Sequence, residues 1–494
     1  MFRRPWSCFT LLGLLLAALA APAEAADPLA TALAAGNEVP AALRGGAGDG
    51  YLVGSPYYLW YPDNFRQGYL RNKLDPAQTP LLGQYDSRDP GVAEQHVAWA
   101  SQYGLDFFMV DYWPNRPEQN AALDQGLLQA DNLSDIDWCI FYETWNLGFD
   151  NQTQTTNFSA ATGQRLVDDV LDLADRYFDH PDYLRINGRP VVFFYLTRTL
   201  TGDYATAFQN LRQALLDRGE DPYFIADEVY WAAADPAGNY VAAPQTQRIN
   251  LFDAITDYNM YHSQYTQHAG YGAQSSYMSD VAAVYDSYRA AAGEAVDFVP
   301  NILPGYNDRG TRPREDHYVI PRQWEEGAAE GSYLSESFSR LAQPYLDPDL
   351  NMFTVTSWNE WNEDTSLEPV KGARATRRDI SGSGDLYTQG YTYNPYGFSA
   401  LESLLSAVAA VAGRVVDPAG NPVAGAQVDL SQDGVVVGST LSDHQGYYVL
   451  DRPGLPEGGY EVAVAGDSGG QRVQVELDAS GSATGMVLQA QTGN

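Results

Sequence analysis

The chain has 494 residues, 45% of them hydrophobic, and carries 63 acidic against 29 basic side chains for a formal net charge of −34. A surface this acidic repels nucleic acid and anionic lipid, so neither is expected as a partner, and the bland reading of the charge is a heavily solvated exterior. The length fits one large domain and a smaller one, since single cores stop growing at about 250 to 300 residues.

The first residues read as an export signal. Arg3 and Arg4 precede an apolar run over 9–19, and Ala23-Glu24-Ala25 matches the small-x-small pattern of a signal-peptidase site. This predicts a signal over 1–25 and a mature chain that is secreted or periplasmic. The run is short of the roughly 20 residues a spanning helix needs, so no transmembrane segment is expected. Beyond it Cys139 is the only cysteine. No intramolecular disulfide can then form, and stability must come from core burial.

Eight apolar or aromatic runs follow, at 51–60, 106–113, 137–144, 190–196, 222–228, 254–261, 297–305 and 352–360. Helical segments separate them. Asp89 is a good N-cap with Pro90 at the first helical position; Val92, His96, Val97, Ala100 and Tyr103 repeat at helical spacing, and Gly104 closes the helix. Leu166, Val170, Leu173, Ala174 and Tyr177 form a second such stripe. Eight strands alternating with helices predict an α/β fold, a (β/α)8 TIM barrel over 26–410.

From about residue 411 the texture changes to short β-rich runs cut by turns: 413–417, 418–423, 426–430, 446–450 and 459–464. Strands at this spacing predict a small all-β sandwich over 411–494. The segment Gly413-Arg414-Val415-Val416-Asp417 and the run Gly446-Tyr447-Tyr448-Val449-Leu450 resemble a carboxypeptidase-regulatory-like (transthyretin-like) domain, which implies an appended module without chemistry of its own.

The most informative stretch is Trp358-Asn359-Glu360-Trp361-Asn362-Glu363, at the C-terminal end of the eighth strand. Barrel chemistry sits at that end. Glycosidases work with two carboxyl groups, one protonating the departing oxygen and one acting as nucleophile or base, and Glu360 with Glu363 supplies both. Carboxyls three residues apart reach one region of a pocket. Ordinary retaining enzymes draw theirs from opposed positions, so this spacing fits better if the sugar's own hydroxyl attacks, with one Glu as its base and the other as acid to the leaving group.

Residues 354–369, T-V-T-S-W-N-E-W-N-E-D-T-S-L-E-P, resemble the signature of glycoside hydrolase family 99. Pro56-Tyr57-Tyr58-Leu59-Trp60-Tyr61, Leu82-Gly83-Gln84-Tyr85-Asp86-Ser87-Arg88-Asp89-Pro90, and Leu303-Pro304-Gly305-Tyr306-Asn307-Asp308 with Arg312-Pro313 are similar to its other motifs, in order. The resemblance covers about 50–400. It implies an endo-acting α-mannosidase or mannanase working with retention and without a metal or other cofactor on a mannan-like glycan. Glu360 would deprotonate the sugar 2-hydroxyl to form a 1,2-anhydro sugar, and Glu363 would be the acid and later the base. The chain departs from the family pattern at Asn362, where the family has His, and at Asp364, where it has Gly. If buried, Asp364 is expected to raise the pKa of the neighbouring acid. A distantly similar group associated with polysaccharide biosynthesis shares the N-E-W motif.

Asp111 and Glu143, at the ends of the second and third strands, are placed to hold sugar hydroxyls. Tyr58, Tyr61, Trp113, Tyr258 and Tyr261, with Trp358, Asn359 and Trp361, are candidates to line the sugar site. Asp308 and Arg312 join them through the resemblance alone. The six histidines show no metal-ligand spacing, so no metal site is expected. Three rivals stand beside this reading: a conventional retaining glycosidase pairing Glu360 with Glu143 or Glu228, a non-catalytic glycan-binding protein, and a protein of polysaccharide biosynthesis, against which the export signal and the lack of a nucleotide-phosphate loop argue.

Overall fold

The computed structural model describes residues 50–382, 385–451, 455–466, 471–477 and 483–490. The expected signal at 1–25 lies outside them. Eight parallel strands form the central sheet: β1 (Leu52–Tyr57), β2 (Phe107–Tyr112), β3 (Asp137–Glu143), β4 (Arg189–Tyr195), β5 (Tyr223–Asp227), β6 (Ala254–Thr256), β7 in two pieces (Asp297–Phe298 and Asn301–Ile302) and β8 (Met352–Val355). Each coincides with an expected run, the fourth strand beginning one residue before its run at Arg189.

The ring closes at both ends. β1 pairs with β8 in the register Leu52↔Met352, and the broken seventh strand bridges the remaining gap. Its first piece pairs with β6, its second with β8. The hand-over falls at Pro300, whose missing N–H frees it from the ladder. Val299 N–H still donates to Ile255 O at 2.9 Å, while Pro300 O accepts from Thr354 N at 3.0 Å. The expected run at 297–305 is thus two short strands around a proline.

Helix α1 (Pro90–Gln102) begins as the sequence predicts: Asp89 Oδ1 accepts the Gly91 N–H at 3.0 Å, and Gly104 takes the positive φ of +81° that ends it. Helix α2 (Ala160–Leu173) buries Leu166, Val170 and Leu173 against the barrel. Inside the barrel Gly54 is obligatory, because a Cβ there would lie 2.1 Å from Cζ of Phe107. Cys139 is free and fully buried. Among the described residues no helix is long and apolar enough to cross a membrane.

The C-terminal part is a seven-stranded sandwich: β9 (Val411–Val416), β10 (Gln427–Gln432), β11 (Val435–Leu441), β12 (Tyr447–Leu450), β13 (Gly458–Val464), β14 (Arg472–Leu477) and β15 (Ala483–Gln489). Sheets β12-β9-β15 and β11-β10-β13-β14 enclose a core that includes Val415, Leu430, Tyr448, Leu450 and Val462. The run at 418–423 is not a strand. Asp417 Oδ1 accepts the N–H groups of Ala419 and Asn421, both at 2.8 Å, and so turns the chain. β11, β14 and β15 go unnoticed in the sequence because none shows a clean apolar and polar alternation: β11 exposes Val435 and Val436, and β14 and β15 expose mostly polar residues. Sandwich and barrel meet through polar contacts: His444 Nδ1 with Asp135 Oδ1 at 2.7 Å, Ser101 Oγ with Asp443 Oδ2 at 3.3 Å, and Tyr51 N–H with Asp451 Oδ2 at 3.0 Å.

Candidate active site

After β8 the chain folds back on itself. Ser357 N–H donates to Thr365 O at 2.9 Å and Leu367 N–H returns to Ser357 O at 2.8 Å, so 357–367 is a closed loop over the barrel mouth. Ser357 Oγ accepts the Glu360 N–H at 2.9 Å, and Glu360 Oε1 accepts the Asn362 N–H at 2.7 Å. Glu360 is thereby held in place, 4% exposed. Glu363 is somewhat more open, its side chain 14% exposed.

Arg312 is the cation of the site. Its Nη1 lies 2.9 Å from Asp308 Oδ2 and 3.3 Å from Glu363 Oε1, and His317 Nδ1 holds Asp308 from behind at 2.7 Å. The second oxygen of Glu363 accepts from Asn259 Nδ2 at 3.3 Å. These contacts make the two acids unequal. Burial, then the neighbouring Glu363, push the Glu360 carboxyl well above the usual range. Burial also raises Glu363, with Arg312 pulling it back down and Asp308 opposing Arg312. Burial thus raises both acids, and Arg312, in contact with Glu363, opposes the rise most directly there.

Asp111 and Glu143 come together at the ends of β2 and β3. Asp111 Oδ2 accepts from Trp113 Nε1 at 2.9 Å, while Asp111 Oδ1 and Glu143 Oε2 are buried without a hydrogen-bond partner among the described residues. Burial pushes Asp111 up to about 7, against the pull of Trp113, Glu143 and Arg116. Burial and then Asp111 drive Glu143 well above its usual range. Above them the Tyr58 hydroxyl donates to Tyr258 Oη at 2.8 Å. Tyr261 stacks on Tyr306 at 3.9 Å, on the Arg312 side.

Three expected sugar contacts, Trp358, Trp361 and Asn359, are taken up in holding the loop. Trp358 is fully enclosed between His96 and Phe108, with ring centroids at 5.5 and 5.1 Å. Trp361 donates its indole N–H to Glu368 Oε2 at 2.8 Å. Asn359 spends its amide on Tyr58 N at 2.8 Å and Tyr58 O at 3.0 Å, clamping β8 to the end of β1. Tyr61 is 3% exposed and donates to Asn359 O at 2.5 Å. Trp358, Asn359 and Trp361 hold the loop from beneath, whereas Tyr61 also lines a cavity on the rim with Trp60 and Arg116.

Asp364 is also corrected. It is buried at φ +52°, which explains a glycine in the family pattern, but its carboxylate turns away to Arg71 and is not among the groups that raise Glu363. Glu228 is locked out of the site: Arg248 grips both its oxygens at 2.9 Å and Thr197 Oγ1 donates at 3.0 Å. The sequence reading missed Asn259, His317, Glu368 and Arg71. Asn259 had a signal, two residues from Tyr261 at the end of the sixth expected strand. His317 had been weighed only as a metal ligand.

Fold and site together define a (β/α)8 barrel with a coupled carboxyl pair at its mouth, followed by a β-sandwich. The family model described as Glycosyltransferase WbsX matches residues 68–376, more than half of the chain, and the chain belongs to that family. A carboxypeptidase regulatory-like domain matches 410–490. The chain is similar to a glycoprotein endo-alpha-1,2-mannosidase-like protein of Danio rerio, 22% identical over 293 residues covering 58% of each chain. It is also similar to the glycoprotein endo-alpha-1,2-mannosidase of Mus musculus, 21% identical over 299 residues, 58% of this chain and 56% of that one. The chain thus spans less than three fifths of the length of these two curated relatives. A solved glycoside hydrolase-like protein shares the fold with a TM-score of 0.51 at 19% identity, over 75% of this chain and 96% of its own.

Proposed function

We propose that this chain is an exported glycoside hydrolase that cleaves internal α-mannosidic bonds, α-1,2 by preference, with retention. The observation that carries the reading is one loop presenting two electrostatically coupled carboxyls, with a cation on only one of them. The relatives' names give the glycan class.

Stereochemistry supports a mannoside. In an α-mannoside the leaving oxygen and the 2-hydroxyl are both axial and antiparallel, so O2 can attack C1 from the face opposite the departing group. Glu360 takes the 2-hydroxyl proton, O2 bonds to C1, and the C1–oxygen bond to the next sugar breaks as Glu363 protonates that oxygen. Glu363, now a carboxylate, takes a proton from water; the water oxygen attacks C1, the C1–O2 bond opens, and Glu360 returns its proton to O2. Two inversions give net retention.

This cycle needs the proton on Glu363 and an ionised Glu360 when substrate is bound. An activated substrate separates the roles: with a fluoride or nitrophenolate leaving group the first step needs no acid, so Glu363→Gln still releases fluoride from a mannobiosyl fluoride and Glu360→Gln does not. The opposite pattern would exchange the roles.

A second reading comes from the family's description as a glycosyltransferase. The same 1,2-anhydro intermediate can be opened by a sugar hydroxyl in place of water. Elongated products on adding an acceptor mannoside favour transfer; hydrolysis products alone favour the hydrolase. Export is read from the segment over 1–25, and N-terminal sequencing of protein recovered outside the cytoplasm, starting near residue 26, checks it.

A further inference from the structure

Beside the carboxyl pair, on the same rim, lies a cavity of about 280 Å³ that the proposed reaction does not use. Its walls come from three segments at the C-terminal ends of strands or just beyond: Trp60 and Arg66 after β1, Arg88 ahead of α1, and Arg116 with Gln119 after β2. Trp60 stacks on Tyr58 at 4.3 Å, and Arg116 lies over the Trp113 ring at 4.4 Å, whose indole reaches Asp111. The cavity is thus one aromatic ring away from each side of the candidate active site.

Its charge runs against that of the whole protein. In a chain of net charge −34, three arginines face this cavity against two carboxylates, Asp63 and Glu118. Arg66 is held by Asp63 at 2.5 Å, and Arg88 by Asp86, which lies outside the lining, at 2.5 Å. Arg116 makes no ion pair among the described residues, so its guanidinium fork is open to a planar anion. Two further polar atoms of the lining are buried with no hydrogen-bond partner among the described residues: the donor Trp60 Nε1 and the acceptor Gln119 Oε1. A ligand satisfying all three offers an anionic group to Arg116, an acceptor to Trp60 and a hydroxyl donor to Gln119. A hexose carrying a negative charge has this set, and neutral mannose lacks the first member.

We propose that this cavity is an accessory subsite for a sugar unit bearing a carboxylate or a phosphate, carried on the same glycan that reaches Glu360 and Glu363. It rests on the glycan reading above, but its test does not use turnover. Isothermal titration of the full chain compares D-glucuronate, mannose 6-phosphate and methyl α-mannoside. At least one charged sugar binds tenfold or more tighter than the neutral one, and the stronger of the two identifies the anionic group. Arg116→Gln weakens the charged sugar tenfold or more, Arg116→Lys recovers part of the loss, and neither alters the weak binding of methyl α-mannoside to this cavity. Equal affinity for charged and neutral sugars, or charged-sugar affinity unchanged in Arg116→Gln, overturns the subsite. A protein that binds the charged sugar through Arg116 yet cleaves no mannan retains the subsite and loses the hydrolase reading.

Discussion

Asp364, one residue past Glu363, is bound to Arg71: Oδ1 accepts from Nε at 2.6 Å and Oδ2 from Nη2 at 3.3 Å, both side chains enclosed. Its negative charge is neutralised away from the pocket, so the extra carboxylate acts on the loop's stability and not on the acid. Removing one partner of a buried pair leaves the other uncompensated, at about 3 to 5 kcal/mol. Asp364→Asn, which tolerates the positive φ but drops the charge, is expected to destabilise by roughly 3 kcal/mol in urea unfolding. The double variant Arg71→Met/Asp364→Asn loses less than the sum of the single losses. Strict additivity would contradict the pairing.

Arg312 depresses Glu363, so its removal has a definite sign. In Arg312→Gln both apparent ionisations of the Glu360/Glu363 pair rise, and the bell of kcat/KM against pH moves as a whole to higher pH, with a lower maximum. A bell that falls in height without moving would show that Arg312 binds sugar without tuning the acid.

Glu228 separates structure from chemistry. Its bidentate pairing with Arg248 is fully buried, so Glu228→Gln costs on the order of 3 kcal/mol of stability. Because the group is walled off from the opening, turnover per folded molecule stays near that of the unaltered chain. Abolished turnover in folded protein would revive the conventional pairing of Glu360 with Glu228.

The contacts between barrel and sandwich are set by carboxyls that bind protons more tightly folded than unfolded. Burial lifts Asp443 to about 7, with Asp135 adding to the rise, and lifts Asp451 to about 7; burial and then Asp451 hold Asp106 well above its usual range. Unfolded carboxyls titrate near about 4. Their contribution is therefore fully present below about pH 4 and is lost as the pH rises through about 7. Asp135, itself held by His444, faces Asp443, and Asp137 faces Asp106. The midpoint of thermal unfolding is expected to fall between pH 5 and pH 8, and Asp443→Asn to narrow that fall. An unchanged difference in the variant would place the sensitivity elsewhere.

The barrel was legible because its strands are buried on both faces and so read as continuous apolar runs, even where Pro300 splits one. The sandwich was half legible, since β11 carries Val435 and Val436 exposed and presents no clean alternation. Among the candidate site residues, local sequence singled out the two acids, while Asp308 and Arg312 came through the family resemblance alone. It misjudged Trp358, Asn359 and Trp361, because an aromatic and amide cluster beside a carboxyl looks the same whether it lines a pocket or anchors the loop that carries it. Glu368 shows why: it gathers Trp361, Tyr85 and His96 from three separate stretches of chain, and no spacing within the sequence announces that meeting.

The central claim is that Glu360 and Glu363 are base and acid to a reaction in which the sugar's own 2-hydroxyl attacks. The most direct measurement compares Glu360→Gln, Glu363→Gln and Glu143→Gln on an α-1,2-linked mannan and on a mannobiosyl fluoride, with product anomers followed by NMR. The account predicts retained configuration, loss of mannan cleavage by about 10²-fold or more in both loop variants, and rescue on the fluoride for Glu363→Gln alone. Full mannan activity in Glu363→Gln, with turnover abolished in Glu143→Gln, would contradict it.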